Sequence, residues 1–403
     1  MPFILFLRSF FSLVSLAIVA GAAYLFWTWY QGDYYRDVYG VLHEVRQNWR
    51  LWTGIALTVW SFGGGSLILK PFLARRDKQP FAPKRSNGQV IDGENGANLY
   101  VETHGSPARP CIILTHGWGL DSTIWANTLP ALVDDFHVVT WDLPSMGKSK
   151  APTSAVTLDS FAANLTRVIE HSGAKEVVLI GHSIGGMTIQ TLARDNREIM
   201  KAKVRGIVLL NTTYGNPLTT MIFSGLAQAL RFPIVEPQFF STMILWPLAW
   251  LSAWKSYLDG SAHLANRLGF GPRVTDKQLE HTTLLSIRNP QGPQAKGNLA
   301  MFRWDAEGAL ARAGVPVLII AGKDDIVTQP RASEHIASET PGAHLIVVDQ
   351  ANHMGFLERA DAYNPAIVAF ANQRLAGIND RGPSSVLPVR EADGLRRSAE
   401  VPL

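Results

Sequence analysis

A serine flanked by glycines stands where a short apolar run meets a helical stretch. Residues 181–185 read Gly-His-Ser-Ile-Gly, directly after the apolar run 177–180 and before the apolar helical stretch 187–192. At a sharp strand-to-helix turn the glycines let neighbouring backbone pass close by, and the serine hydroxyl lies at a helix N-terminus that favours negative charge. The pattern alone is weak in a chain with 34 glycines, but its position predicts that Ser183 is a nucleophile rather than an idle turn residue.

A histidine late in the chain is the candidate base for this serine. A serine hydroxyl becomes an effective nucleophile when a base removes its proton, and histidine is the base best matched to neutral pH. Where a nucleophile occupies such a turn, the acid and then the histidine follow it along the chain. His353 follows the last predicted strand, 345–348, in a loop that can lay an imidazole over Ser183. Six other histidines are set aside as the base, because they fall in backbone-dominated motifs, in an inserted segment, on a surface helix or before that strand: His116, His182, His263, His281, His335 and His344.

Two adjacent aspartates compete for the role of the acid. Residues 322–325 read Gly-Lys-Asp-Asp and follow the predicted strand 315–320. A carboxylate at this position would hold the imidazole in the correct tautomer and stabilise the imidazolium. Because neighbouring side chains point in different directions, these residues alone leave the choice between Asp324 and Asp325 open.

A second glycine-containing turn supplies the candidate oxyanion hole. Residues 116–119 read His-Gly-Trp-Gly and follow the predicted strand 111–114. The backbone N–H groups of Trp118 and Ile184 would converge on a carbonyl oxygen as it becomes negative; a plain glycine turn is the alternative. Metal-ligand spacing, a phosphate loop and a dinucleotide fingerprint are all missing from the sequence, so we predict no metal and no cofactor.

The elements that must position these groups follow an α/β pattern. Short, continuous apolar runs rich in β-branched residues are typical of strands in a parallel sheet covered on both faces. Helical stretches such as Leu158–His171 and 365–375 separate them, which predicts a doubly wound layout that opens with a hairpin around 90–91 and 99–101. The predicted core strands are 111–114, 138–141, 177–180, Val204–Leu210, 315–320 and 345–348.

One interval is too long to be a loop. Residues 212–304 separate two predicted strands and include the aromatic side chains Phe239, Trp246 and Trp250, so we predict an inserted subdomain. These three aromatics suggest an apolar acyl pocket; the alternative is that they pack the insertion itself. The polar segment 376–403 is predicted to be a disordered tail.

Two uncharged apolar stretches, 9–30 and 51–69, lie within an N-terminal segment, 1–70. A bilayer core takes about 20 apolar residues as a helix, and aromatic residues at the ends suit its interface. Because the flank after Leu69 is rich in Lys and Arg, we predict a transmembrane hairpin with both ends in the cytoplasm, at a bacterial inner membrane or its equivalent. A cleaved signal peptide, and a re-entrant second stretch because of Gly63–Gly65, are the alternatives.

Charge and cysteine content narrow the class of protein. The formal net charge is +4, and a basic run within residues 70–85 makes 71–87 a predicted basic linker beside the membrane segment. Without aromatic-basic interleaving or a reader motif, we predict no nucleic-acid binding, and no obligate protein partner is evident. The single cysteine, Cys111, cannot form an intrachain disulfide and is predicted to be a buried core thiol.

Taken together, these motifs resemble the α/β-hydrolase superfamily over about residues 88–375. The matching landmarks are 115–118 (Thr-His-Gly-Trp), 142–149 (Asp-Leu-Pro-Ser-Met-Gly-Lys-Ser), 181–186, 322–325, and His353 with Glu358. The resemblance implies an α/β-hydrolase fold with a helical cap at 212–304, and its spacing of three residues from glycine to acid implies Asp325. Ser145 replaces the first glycine of the family's D-x-x-G-x-G-x-S turn and Asn352 its usual glycine before the histidine, which puts the shape of both loops in doubt.

The expected function is hydrolysis of a carboxylic ester through an acyl-enzyme, with a lipid-like or other acyl ester as substrate. Carbon–carbon bond hydrolases and cofactor-free perhydrolases use the same triad and stay open as alternatives. Epoxide and haloalkane hydrolases are disfavoured, because the resemblance implies an aspartate nucleophile where Ser183 stands. A non-catalytic membrane adaptor is the alternative from another class, although a scaffold has no physical need for Ser183, Asp325 and His353 together.

Overall fold

The computed structural model describes residues 2–77, 81 and 83–375, with the side chains of 2–9, 12 and 13 excepted. The predicted disordered tail, 376–403, lies outside the described residues. The N-terminal segment consists of three helices and a two-stranded antiparallel hairpin between the first and second of them. Their bounds are α1 (Pro2–Gln31), β1 (Asp33–Arg36), β2 (Leu42–Val45), α2 (Asn48–Val59) and α3 (Gly65–Leu73).

The second and third helices join through a π-helical turn, Trp60–Gly64, in which Gly63 has a φ of 141° that favours glycine. By length and composition, the continuous stretch Asn48–Leu73 is able to cross a membrane, with a mean hydropathy of 1.3. The hairpin of two membrane spans stays a prediction. The small sheet of β1 and β2 was not anticipated by the sequence.

The central sheet has eight strands in the order β10-β9-β8-β7-β5-β6-β4-β3. Strands β5 to β10 are mutually parallel, while β3 and β4 form the predicted antiparallel hairpin at one edge. The expected mostly parallel sheet is therefore confirmed. The strands are β3 (Gln89–Asp92), β4 (Asn98–His104), β5 (Cys111–Thr115), β6 (His137–Trp141), β7 (Val177–His182), β8 (Val204–Leu210), β9 (Val317–Gly322) and β10 (His344–Val348).

Both faces of this sheet are covered, as the continuous apolar strands require. Alternate residues of one strand serve different layers: Leu179 packs toward the helix that carries Phe161, and Ile180 toward the helix that carries Tyr363. Cys111 is buried in the first of these layers. The helices on the sheet are α4 (Leu158–His171), α5 (Ile184–Asp195) and α6 (Arg197–Lys203) before the insertion.

The inserted segment, 212–304, is helical and lies between β8 and β9. Its helices are α7 (Pro217–Thr220), α8 (Ser224–Ala229), α9 (Glu236–Ile244), α10 (Trp246–Leu258), α11 (Ser261–Arg267), α12 (Asp276–Arg288) and α13 (Gln291–Met301). We call this segment the cap. The remaining helices are α14 (Ala309–Ala313), α15 (Pro330–Glu339), α16 (Gly355–Glu358) and α17 (Ala360–Leu375).

The described residues of the segment predicted as a linker, 71–87, are held against the domain at several points. The N–H of Arg75 donates to the carbonyl of Val274 at 3.0 Å, which attaches the end of α3 to the cap. Further on, the Arg85 guanidinium forms ion pairs with Glu102, Asp121 and Asp142 at 3.3, 2.6 and 3.0 Å. These three carboxylates are at least nine-tenths buried and need a cation, so Arg85 is part of the folded domain.

Candidate active site

The predicted nucleophile lies at a strained turn. Ser183 joins β7 to α5 with φ 53° and ψ −117°, a conformation that is costly for a residue with a side chain. Two hydrogen bonds hold it: its N–H donates to the carbonyl of Leu210 at 2.9 Å, and the hydroxyl of Thr212 donates to its carbonyl at 2.6 Å. The strain is therefore supported by β8 and the residues that follow it.

The glycines beside Ser183 allow the close packing that the sequence predicted. A methyl group at Gly185 would lie 2.8 Å from the carbonyl carbon of Thr115, at the end of β5. At Gly186 it would lie 2.8 Å from the hydroxyl oxygen of Thr212. Side chains at these positions would push the first turn of α5 away from the sheet, so the turn needs glycine here.

Three side chains from different parts of the chain meet at this turn. His353 Nε2 lies 3.0 Å from Ser183 Oγ, and His353 Nδ1 lies 3.0 Å from Asp325 Oδ2. The side chains of His353 and Asp325 are fully buried, and Ser183 exposes 6% of its surface. Asp324, by contrast, is exposed, so the structure brings Asp325 rather than its neighbour to the imidazole.

The Asp325 carboxylate is surrounded by hydrogen-bond donors. Its Oδ1 accepts from the N–H groups of Val327 and Thr328 at 2.8 and 2.9 Å, and its Oδ2 accepts from the Thr328 hydroxyl at 2.8 Å and Asn211 Nδ2 at 3.0 Å. Burial opposes ionisation, but His353 and these donors outweigh it and lower the pKa of Asp325. The acid is therefore charged at neutral pH and holds a proton on His353 Nδ1.

Asn211 is a site residue that the sequence analysis missed. It sits in the left-handed region with a φ of 47°, and its Nδ2 donates to the carbonyl of Asn352 at 3.2 Å as well as to Asp325. Its Oδ1 accepts from the hydroxyl of Tyr363 at 2.8 Å. Because it directly follows β8, its position at the carboxyl edge of the parallel sheet is the signal that would have identified it.

His182, which the sequence set aside, connects the two loops around Ser183. Its Nε2–H donates to the carbonyl of His353 at 2.9 Å, and its ring lies 4.5 Å from that of Phe356 between centroids. A methyl group at Gly117 would overlap His182 Nδ1, so the ring also packs on the candidate oxyanion turn. Burial holds the pKa of His182 well below its usual value, which keeps the ring neutral.

Glu358 attaches the histidine loop to the cap. Its Oε1 accepts from the N–H of Asn352 at 3.2 Å and from the N–H of Gly271 at 2.6 Å. Asn352 in turn precedes His353 and accepts that residue's N–H at 2.8 Å through Oδ1. Burial raises the pKa of Glu358, because the charged carboxylate is poorly solvated at this position.

The candidate oxyanion turn lies under the cap. Ile184 is the first residue of α5, so its N–H has no partner within the helix, and Trp118 follows β5 in the turn before Gly119. Asn289 of the cap donates through Nδ2 to the carbonyl of Leu120 at 3.1 Å, and α13 packs on the Trp118 ring. Two elements, the sheet and the cap, therefore fix the position of the Trp118 backbone.

The three cap aromatics are not gathered at Ser183. Phe239 is buried within the cap, with its ring 5.8 Å from that of Phe302. Trp246 and Trp250 lie on α10 with 58% and 48% of their surface exposed. Among the described residues, no hydrogen bond or ring contact joins any of the three to Ser183 or His353. Phe239 packs within the insertion, as the alternative predicted. Trp250 contacts the ring of Trp254, but it and Trp246 are each about half exposed.

The arrangement is able to move a proton from Ser183 Oγ to His353 Nε2 while Asp325 stabilises the imidazolium. Groups of three or more His, Cys, Asp or Glu side chains that could hold a metal are not found in the described part of the chain. The three side chains present an activated hydroxyl at a helix N-terminus.

Comparison with known proteins agrees with this architecture. Residues 110–360 match the family described as alpha/beta hydrolase fold. The chain belongs to this family. The esterase EaEST from Exiguobacterium antarcticum superimposes with a TM-score of 0.58 at 20% identity, covering 71% of this chain and 99% of that one, which supports the fold.

Two of the relatives with curated names are described as hydrolases. RutD of Stutzerimonas stutzeri (strain A1501), provisionally named a carbamate hydrolase, is 25% identical over 67% of this chain and 95% of its own length. The pimeloyl-[acyl-carrier protein] methyl ester esterase of Vibrio atlanticus (strain LGP32) is 24% identical, over 67% of this chain and 97% of its own. These relatives support a hydrolase of the α/β-hydrolase fold.

Proposed function

We propose that the protein is a membrane-tethered serine hydrolase that cleaves carboxylic esters, with Ser183 as nucleophile, His353 as base and Asp325 as the acid that orients it. The observation that carries this proposal is the continuous pair of 3.0 Å contacts from Ser183 Oγ through the imidazole to the Asp325 carboxylate. A non-catalytic adaptor would have no need for a buried, charged acid or for a strained backbone at the serine.

The reaction follows from this geometry. His353 Nε2 takes the proton as Ser183 Oγ attacks the ester carbonyl, and the N–H groups of Trp118 and Ile184 receive the developing oxyanion. His353 then returns the proton to the departing alcohol, which leaves an acyl group on Ser183. Water activated by the same imidazole releases the acid and restores the hydroxyl.

Ester substrates with acyl chains are favoured over the other chemistries that this arrangement permits. One relative's name describes a methyl ester esterase and another, from Acinetobacter baylyi, an enol-lactonase, and esters and lactones share the acyl–oxygen bond. An anchor in a membrane would place the protein among lipid-like esters. Carbon–carbon hydrolysis and perhydrolysis have no observation of their own in their favour.

The proposed tether is the N-terminal segment, with the catalytic domain on the cytoplasmic face. Helix α1 contacts the domain beside the acid, because Phe11 packs with Ala265 and Val327, two residues after Asp325. Further along α1, Ser15 contacts Asp259 of the cap through its hydroxyl and accepts from Lys255 Nζ at 3.0 Å through its carbonyl. The apolar helices would therefore hold the site close to the lipid surface.

Labelling with a fluorophosphonate probe tests the proposed nucleophile. We expect the full chain in phosphatidylcholine vesicles to be labelled and Ser183→Ala to lose both the label and ester hydrolysis. Ser145→Ala is the matched control, because Ser145 is also a buried serine with a positive φ, 62°, but its hydroxyl donates to the carbonyl of Ala151. Labelling that survives in Ser183→Ala, or folded protein that takes no label, would refute the proposal.

A second assay identifies the type of bond that the protein cleaves. The full chain is given esters of increasing acyl length together with a carbamate, a lactone and a vinylogous 1,5-diketone. We expect turnover of the esters to rise with acyl length and to disappear in Ser183→Ala. Preferred turnover of the diketone would instead assign carbon–carbon hydrolysis.

A further inference from the structure

The outer surface of cap helices α8 to α10 is strongly apolar. The exposed apolar side chains on or beside these helices include six with 58% to 76% of their surface exposed: Phe223, Phe232, Ile244, Trp246, Leu248 and Leu251. We call these six residues the cap face. Monomeric soluble domains rarely leave so many large apolar side chains together in water, and such a patch marks a contact with another phase or molecule.

The charged residues around the cap face are turned inward. Residues 221–258 contain three of them, Arg231, Glu236 and Lys255. Arg231 Nε pairs with Glu236 Oε1 at 2.7 Å, and both side chains are less than one-fifth exposed. Lys255 pairs with Asp259 at 3.2 Å. The segment therefore satisfies its charges internally and presents no formal charge to whatever lies beyond the cap face.

The cap is docked directly on the apolar N-terminal helices. A methyl group at Gly65, the first residue of α3, would lie 2.8 Å from the carbonyl carbon of Asp259, at the end of α10. Lys255 Nζ donates to the carbonyl of Ser15 on α1 at 3.0 Å. These helices expose apolar side chains of their own, such as Leu16 at 60% and Leu67 at 73%. The cap face therefore continues the apolar surface of the N-terminal segment.

We propose that the cap face is a lipid-contacting surface that enters the interfacial layer of the same bilayer that holds the N-terminal helices. The proposal rests on the membrane tether of the proposed function and adds the cap to it. A bilayer that accepts α3 must also lie next to Asp259 and Gly260, because they pack against its first turn. Aromatic and aliphatic side chains without charge suit the boundary between headgroups and acyl chains.

Contact of the cap face with lipid would determine how the substrate reaches Ser183. Ser183 is 94% buried beneath the cap and the histidine loop. With the cap face in the lipid, an acyl ester would pass from the bilayer through the cap to Ser183 without crossing bulk water. The substrate class selected by this route is an ester carried on a membrane-resident acyl chain.

Site-specific quenching tests the location of the cap face. Cys111 is 1% exposed, so a cysteine introduced at the surface takes a thiol-reactive environment-sensitive dye almost alone. The dye is placed at Ile244→Cys and, as the matched control, at Val90→Cys on edge strand β3, where the side chain is 62% exposed. In phosphatidylcholine vesicles with doxyl-labelled lipid, we expect quenching at position 244 to exceed that at position 90 by about threefold or more.

The possible outcomes test the location of the cap face separately from the membrane tether. If the protein floats with the vesicles but the dye at 244 is quenched by aqueous iodide as strongly as the dye at 90, the cap face is in water and the proposal is wrong. Protection from iodide without quenching by doxyl lipid would mean that protein covers it, such as a second copy, and would also overturn the proposal. Failure to float would remove the tether and the proposal together, while fluorophosphonate labelling still reports on Ser183.

A functional readout complements the quenching. Ile244→Asp combined with Leu248→Asp places two charges on the cap face, and Val90→Asp is the control. We expect hydrolysis of an ester embedded in vesicles to fall by about tenfold in the double variant, while a water-soluble short-chain ester is cleaved as before. Unchanged turnover of the embedded ester would contradict the proposal.

Discussion

Substitution of a single glycine of the cap tests whether the Trp118 N–H donates to the oxyanion. Gly297 lies in α13 directly over the Trp118 indole. A methyl group at position 297 would overlap Cη2 of the ring and lie 2.8 and 2.9 Å from Cζ2 and Cζ3. Because carbon atoms in contact are normally about 3.5–4.0 Å apart, Gly297→Ala must displace the ring and, with it, the turn that carries the Trp118 N–H.

The expected change in the free energy of unfolding is the difference between two opposing contributions. Overpacking a buried position costs about 1–3 kcal/mol, while alanine in place of glycine in a helix returns about 1 kcal/mol. We therefore expect Gly297→Ala to lower the free energy of unfolding by about 0–2 kcal/mol. Complete loss of one oxyanion donor lowers kcat by about 100- to 1000-fold, so a displaced donor should lower it by about tenfold or more.

The assay compares Gly297→Ala with Gly292→Ala in the same helix. A methyl group at Gly292 would meet its nearest neighbour, Trp246 Cβ, at an ordinary 3.5 Å, so this variant should gain about 0.4–1 kcal/mol and keep its kcat. Urea unfolding and steady-state ester hydrolysis are measured for both. If Gly297→Ala is destabilised but keeps the parental kcat, the Trp118 turn does not stabilise the oxyanion. If it is as stable as Gly292→Ala, the inferred packing itself is wrong.

Three further substitutions probe the charged groups of the fold. Asn211→Ala removes a donor that lowers the pKa of Asp325. The stability contributed by that carboxylate is lost as the pH falls through its folded pKa. Acid unfolding of the variant, followed by tryptophan fluorescence, should therefore begin at a higher pH than that of the parent. Glu358→Gln removes an anion whose pKa is raised by burial, so its melting temperature should exceed that of the parent by about 2 °C or more at pH 7 and match it below pH about 4. Arg85→Met leaves buried carboxylates, including Asp142, without a cation and should lower the free energy of urea unfolding by about 3–5 kcal/mol, whereas Arg85→Lys should lose less.

The sheet and the site turn were predictable because their signals are local. Each apolar run became a strand within about two residues of its predicted bounds, since a fully buried parallel strand must be apolar throughout. Ser183 followed from a strand, a glycine turn and a helix that are consecutive in the chain. His353 followed from chain order alone. The choice between Asp324 and Asp325 needed the fold, because burial of one and exposure of the other depend on how β9 meets the histidine loop.

Features that depend on distant partners were not predictable. From the sequence, Arg85 was assigned to a basic linker, because nothing in the sequence pairs it with Glu102 or with Asp142, 57 positions later. The cap aromatics show a related difficulty: Phe239 is buried and its neighbour Phe240 is 48% exposed, although both belong to one apolar run. Apolar character tells that a residue avoids water, but only the packing of helices decides whether protein or another phase covers it.

The N-terminal segment is bonded to the cap through a partly buried carboxylate, and this contact predicts how fragments of the chain will differ in stability. Glu280 of α12 pairs with Lys70 of α3 at 2.6 Å and with His263 at 2.9 Å, and it also accepts from the hydroxyl of Tyr257. Although burial opposes ionisation, these donors lower the pKa of Glu280 to about 2, so its contribution to stability is present at neutral pH and is lost below about pH 4.

A fragment of residues 88–375 lacks Lys70 and Arg85, which leaves the partly buried Glu280 of the cap and the buried Asp121 of the core without their cations. We expect it to unfold at least about 3 kcal/mol more easily in urea than a fragment of residues 65–375, which keeps α3 and both cations. Both fragments lack α1, so the difference isolates α3 and the segment that follows it. Equal stability of the two would show that the ion pairs at Lys70 and Arg85 add nothing to the fold. A large difference would mean that residues 65–87 are a structural part of the folded domain, because Lys70 pairs with the partly buried Glu280 of the cap and Arg85 pairs with buried carboxylates of the core.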